Sequence, residues 1–144
     1  MQMKGSKDVL SSVLKTTQMG QIGIRSVLDA AVRPGLRSAL EDQLHEYDAI
    51  ETEAHALAGR RGWDLPELDP AIRFMTDMMT RMRLGGRDPD SKIAAMMIAG
   101  NTKGVIKGTR NLNHLAGKDE PLQILGQKLL DCETANIRQM QRFL

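Results

Sequence analysis

The stretch WDLPELDPAIRFMTDMMTRMRLGGRD, residues 63–88, decides how the rest of the chain is arranged. Pro66 and Pro70 mark an irregular connection. Asp69 is placed to cap a short helix whose first residue is Pro70, where the missing N–H of proline costs nothing. Gly85-Gly86 ends that helix near Leu84. On either side lie two long pairs of helical segments. A helix of ~26 residues is ~39 Å long, and the 63–88 stretch is long enough to return the chain along that length.

Working outward, Ser6 to Val32 reads as a helix, with Leu10, Val13, Leu14, Ile24, Val27, Leu28 and Ala31 at helical spacing. Arg33-Pro34-Gly35 interrupts it. A second helix follows to Arg61, with a stripe of Leu36, Leu40, Leu44, Tyr47, Ala54 and Ala58, and Gly62 stops it. Beyond the crossover, a fourth helix runs from Asp88-Pro89 or Ser91 to about Ala116. A fifth runs from Asp119-Glu120-Pro121 to near Leu144. Tight connections make antiparallel neighbours. The expectation is one all-α domain over 1–144: hairpin 6–61, crossover 62–88, hairpin 89–143. Only 3% of residues are aromatic, so Leu, Ile, Val, Ala and the ten Met residues are expected to fill the core.

Composition excludes several classes. The net charge is +2, and acidic and basic residues are expected to mix along most of the chain, so nucleic acid is not a partner. The local excess of Arg73, Arg81, Arg83 and Arg87 reads as a solvated helix face. No stretch approaches the ~18 apolar residues that a membrane span needs. Met1 to Leu10 has no signal-peptide core, so a cytoplasmic location is the expectation. Cys132 is the single cysteine, which rules out an internal disulfide or a cysteine zinc site. Neither Ser11-Ser12 nor Cys132 has a base in a nucleophile motif.

The two hairpins resemble each other. A shift of 84 lays Leu14, Gly20, Ile22 and Leu28 on Ile98, Gly104, Ile106 and Leu112. A shift of 82 lays Leu40, Tyr47 and Glu51 on Leu122, Leu129 and Glu133. Glu51 and Glu133 interrupt the apolar stripes of helices two and five, as Thr17 and Asn101 interrupt those of helices one and four. These four side chains are expected to converge near mid-bundle. A buried carboxylate needs hydrogen bonds, a cation or a metal. The favoured reading is a satisfied polar layer that fixes register. The sharper one is a metal site.

On these residues the chain resembles the ferritin-like four-helix bundles, and it is similar to uncharacterised members from spore-forming bacteria. The resemblance implies two hairpins with a crossover, and a di-iron site built from one inward Glu on each of two helices and Glu-x-x-His on the other two. Glu51 and Glu133 stand where the Glu of each Glu-x-x-His would be. Ala54 and Asn136 stand at the histidines, and Thr17 and Asn101 at the lone Glu positions. His55, four residues after Glu51, is the remaining nearby ligand, so Glu51, His55 and Glu133 are the only metal set the sequence offers. No cofactor is expected.

Two further features stand out. Gly100-x-x-x-Gly104-x-x-x-Gly108 places three glycines on one side of helix four, where each costs up to ~1 kcal/mol against Ala. Close helix packing is the expected use, and a ligand groove the alternative. Met75, Met78, Met79 and Met82 form a stripe on the short helix, expected to cover the bundle or to form a subunit interface. The expectation from sequence is a non-enzymatic bundle that self-associates or binds a protein partner. A degenerate metal-binding or oxidoreductase site and a small-molecule binder are the alternatives.

Overall fold

The computed structural model describes residues 2–144 and contains five helices. Helix α1 is Ser6–Val27, α2 Pro34–Arg60, α3 Pro70–Arg83, α4 Pro89–His114 and α5 Glu120–Gln141. Prolines open all but α1. Asp69, Asp88 and Asp119 accept hydrogen bonds from the backbone N–H groups of Ala71, Ser91 and Leu122, which fixes the starts of α3, α4 and α5. Among the described residues, no helix is long and apolar enough to cross a membrane.

Contacts at the two ends set the topology. At one end the Asp90 carboxylate accepts from the backbone N–H groups of Val32 (2.8 Å) and Arg33 (3.0 Å), and the Phe143 ring lies over Gly35. At the other, Lys4 pairs through its backbone with His114 and Ala116, and Arg61 grips Asp119. Helices α1 and α5 therefore run one way and α2 and α4 the other. Helix α1 packs against α2 and α4, as does α5, so every side of the bundle joins antiparallel helices. The 61–89 connection climbs the full length, and α3 rests on α1.

Three helix ends differ from expectation. Helix α1 gives way at Leu28–Ala30 to a 3-10 turn. There Asp90 captures the N–H groups of Val32 and Arg33, so the chain is already turning toward Pro34. Helix α4 stops at His114, because its last carbonyl and the Ala116 N–H pair with Lys4. Helix α5 ends at Gln141 rather than near Leu144.

The core is aliphatic. Leu10, Leu14, Ile24, Leu36, Leu40, Ile93 and Leu122 are sealed, with the Tyr47 ring among them. Methionine does not fill it as composition suggested: Met140 is the one described methionine in the fully buried set. The stripe on α3 is inverted. Thr80 is its single buried residue, and Asp77 hydrogen-bonds Ser26 of α1. Met75, Met78, Met79 and Met82 are all exposed, by 49–78%, as are Ile72 and Phe74. Met75, Met78 and Met82 thus face solvent, and Met79 alone of the stripe borders the space between α3, α1 and α4.

Candidate ligand cavity

Between α1 and α4, roofed by α3, lies a cavity of about 520 Å3 that opens to solvent on one side. Glycine makes the room. Gly20 and Gly23 of α1 are three apart, and Gly100 and Gly104 of α4 are four apart, so each pair faces the cavity on one side of its helix. Nothing lies within 4 Å of where a Gly100 side chain would stand. Met19, Ile24, Met79, Met96 and Met97 supply the apolar walls, with Leu68 from the crossover.

The floor is polar and comes from three helices. Tyr47 reaches across from α2 because Gly20 leaves space for its ring; a Cβ there would stand 2.5 Å from the ring. Its hydroxyl donates to Asn101 Oδ1 of α4 at 3.0 Å. Glu133 reaches from α5 over Gly104, where a Cβ would stand 2.8 Å from the carboxyl carbon. Glu133 is only 2% exposed, and its Oε2 is sealed with no hydrogen-bond partner. Burial raises its pKa to about 8, with the Tyr47 hydroxyl beside it pulling the other way. At neutral pH Glu133 is therefore mostly a neutral acid, able to donate a hydrogen bond as well as accept one. Burial beside Glu133 also holds the Tyr47 hydroxyl firmly protonated.

The four side chains expected to converge divide among three places. Asn101 and Glu133 meet at the cavity floor. Thr17 is buried but turns its hydroxyl to its own helix, donating to the Val13 carbonyl at 2.8 Å. Glu51 is half-buried on the flank of α2, where Gln18 and Gln21 of α1 donate to its oxygens at 3.3 and 3.4 Å. The reason is angular: Tyr47, Ile50 and Ala54 take the inward line of α2, and Glu51 falls beside it. His55 is exposed. Glu51, His55 and Glu133 thus do not form one set. Among the described residues, no three His, Cys, Asp or Glu side chains gather in a way that could hold a metal ion.

The three glycines of α4 also divide. Gly104 lies under a carboxyl group, Gly108 in ordinary contact with Leu130, and Gly100 against open space. At none of them is the close neighbour a helix backbone. Cys132 is buried, and its thiol donates to Glu46 at 3.1 Å. Burial and that carboxylate push the thiol well above its usual range, so it is not a ready nucleophile.

Charge around the cavity is one-sided. Lys15, Arg83, Lys103 and Lys107 line it, and Glu133 is the single acidic lining residue. None of the four cations forms an ion pair with a described residue. Lys4 and Arg110 extend the basic strip through a shallow hollow that shares Lys103 and Lys107. No Asp or Glu occurs between Asp90 and Asp119, or between Asp8 and Asp29. The even mixing of charge expected from the sequence therefore fails on the α1–α4 side, and that acid-free run was readable all along.

Neither a protein-family model nor a curated protein matches the chain. Among solved structures, the fold is similar to that of a DUF305 fragment from Deinococcus radiodurans. The TM-score is 0.75 at 14% identity, over 95% of this chain and 93% of that one. At that identity the likeness shows a shared all-helical fold and nothing of its use.

Proposed function

We propose that this chain is a non-enzymatic binding protein, of ferritin-like arrangement, that holds an apolar small molecule between α1, α3 and α4. One observation carries the reading. A cavity of about 520 Å3, within the roughly 300–1,000 Å3 usual for ligand pockets, ends on a buried carboxyl group with an unpartnered oxygen. A buried polar atom without a partner is costly, by ~1–3 kcal/mol, and a ligand oxygen or nitrogen at the floor relieves that cost. Methionine walls suit the role, because thioether side chains adapt to ligand shape. Titration with Nile red, a neutral apolar dye, tests it. Saturable fluorescence enhancement that is lost when Gly100→Leu fills the cavity is the expected result. Enhancement that Gly100→Leu leaves unchanged counts against the cavity.

A second reading, self-association, rests on a different observation. Helix α3 turns Thr76, Asp77 and Thr80 inward and leaves Ile72, Phe74, Met75, Met78 and Met82 exposed. An apolar face of that kind on one helix marks an interaction surface. Light scattering across a concentration series tests it, and a monomer throughout would exclude the reading.

A further inference from the structure

Building on the cavity reading, we infer that the ligand is an amphiphilic carboxylate, a hydrocarbon-chain acid bearing a hydroxyl or carbonyl oxygen near its far end. Its acid group would sit among Lys15, Lys103 and Lys107, its chain among the methionines, and its far oxygen against Glu133.

Three features of the cavity each select one part of that molecule. The rim selects the charge. Lys103 and Lys107 lie one turn apart on α4, Lys15 faces them from α1, and no described carboxylate neutralises any of the three. The acid-free runs of α1 and α4 extend that positive field beyond the contact residues. A cationic ligand is repelled here and an anion is drawn in. The walls select an apolar body, since between rim and floor the surface is mostly thioether and aliphatic, with threonine hydroxyls from α1 and α3 the polar interruptions. The floor selects the far end. Glu133 Oε2 is buried without a partner, and the neighbouring Tyr47 hydroxyl is already committed to Asn101. A plain methyl terminus would leave that oxygen orphaned, whereas a hydroxyl or carbonyl pairs with it.

The test is displacement of Nile red from the full chain by four ligands of one chain length: decanoate, decanoate hydroxylated at its far carbon, decanol and decyltrimethylammonium. Decanoate is expected to bind about tenfold more tightly than decanol and more tightly still than the cation, the tenfold step being a modest charge contribution at a half-exposed rim. The hydroxylated acid is expected to bind more tightly than decanoate. Lys103→Gln with Lys107→Gln should abolish the preference for acid over alcohol. Both positions are exposed, so folding is not at stake. Glu133→Leu should abolish the preference for the hydroxylated acid. Equal displacement by decanol or by the cation overturns the ligand class and leaves the cavity reading standing. Failure of Nile red to bind at all overturns both. Binding to anionic phospholipid vesicles without Nile red displacement overturns the inference in favour of a membrane surface site.

Discussion

The carboxyl group of Glu133 lies directly over the α carbon of Gly104, so that a Cβ at position 104 would stand 2.8 Å from Cδ and Oε1. Gly20 stands in the same relation to the Tyr47 ring, with a closest approach of 2.5 Å. The two neighbours differ in stiffness. A carboxyl group at the end of a side chain can swing; a sealed phenol ring cannot. We therefore expect an ordered series of alanine substitutions. Gly20→Ala should cost most, ~2–3 kcal/mol, through overpacking against a rigid ring. Gly104→Ala should cost ~1 kcal/mol, as the carboxyl is displaced against a helix-propensity gain of similar size. Gly100→Ala meets nothing and should stabilise by up to ~1 kcal/mol. Urea unfolding of the three variants measures the order. Equal effects at 20 and 100 would mean that Tyr47 does not cross α1 as described.

Glu133 also gives stability a pH dependence of unusual sign. Its pKa is about 8 in the folded chain against 4.5 for an ordinary glutamate. Between those values the folded state holds a proton that the unfolded state has released. Stability therefore falls as pH rises from 4.5 to 8, with a slope approaching ~1.4 kcal/mol per pH unit for this one group. Burial keeps Tyr47 and Cys132 protonated throughout that window, and Asn101 does not titrate. Glu133→Gln keeps the shape and removes the proton, so its stability should be flatter and should exceed wild type at pH 8. Thermal unfolding from pH 5 to 8.5 checks this. Parallel wild-type and variant curves would mean that Glu133 is solvated.

Hairpins, helix starts and crossover were legible because they rest on local chemistry: Asp-Pro and Asp-x-Pro openings, glycine stops and stripes at helical spacing. The site was only half legible. The repeat alignment laid Gly20 on Gly104 as a residue match alone, and in the structure both glycines lie under side chains that cross from another helix. It then paired Glu133 with Glu51, although the side chain crossing Gly20 is Tyr47, one turn earlier. A few tens of degrees around α2 separate an inward residue from a flanking one, and two glutamates cannot signal that difference in sequence. The α3 stripe misled for another reason. Periodicity reports that a helix has an apolar face and says nothing about which side it turns inward. Asp77 and Thr80 decide that, through Ser26 and burial respectively.

Acid lability should come from a different carboxylate. Asp119 takes two bonds from Arg61, at 2.6 and 2.7 Å, and also caps α5. The guanidinium holds its pKa well below the usual 3.8. Its contribution is present above about pH 4 and is lost as pH falls further, the opposite direction to that of Glu133. Asp119→Ala should remove ~1–2 kcal/mol at neutral pH by breaking a half-buried, two-bond pair and a helix cap. Asp119→Asn should lose less, because the cap acceptor survives. Acid titration followed by circular dichroism should show wild type losing stability below pH 4 and the Asn variant losing little more than it has already lost.

Asp90 joins the hairpins at the opposite end, and its role is separable from charge. Two backbone N–H groups, from Val32 and Arg33, end on its carboxylate, while the Arg33 side chain stays 3.6 Å away and half-exposed. Asp90→Ala should cost ~1–2 kcal/mol by removing the acceptor of two backbone hydrogen bonds, and Arg33→Ala less than ~1 kcal/mol, as exposed ion pairs do. Chemical denaturation of both variants distinguishes backbone capture from ion pairing; a larger effect at Arg33 would reverse the assignment.

Methionine oxidation separates an α3 face that stays open from one that a second copy covers. Met75, Met78 and Met82 are exposed by 60%, 50% and 78%, whereas Met140 is fully buried. Mild peroxide oxidises thioethers according to access. In dilute protein the three α3 methionines should be oxidised quickly, with Met140 unreacted until the chain unfolds. At high concentration, self-association through α3 should protect Met75, Met78 and Met82 together while leaving Met19, on α1, as reactive as before. Replacing the three with Gln should leave stability within about 0.5 kcal/mol, as exposed substitutions do, and abolish any concentration-dependent mass. Peptide mass spectrometry reads all five sites in one experiment. Oxidation of Met75, Met78 and Met82 that ignores concentration would remove the self-association reading and leave the α1–α4 cavity as the protein's working surface.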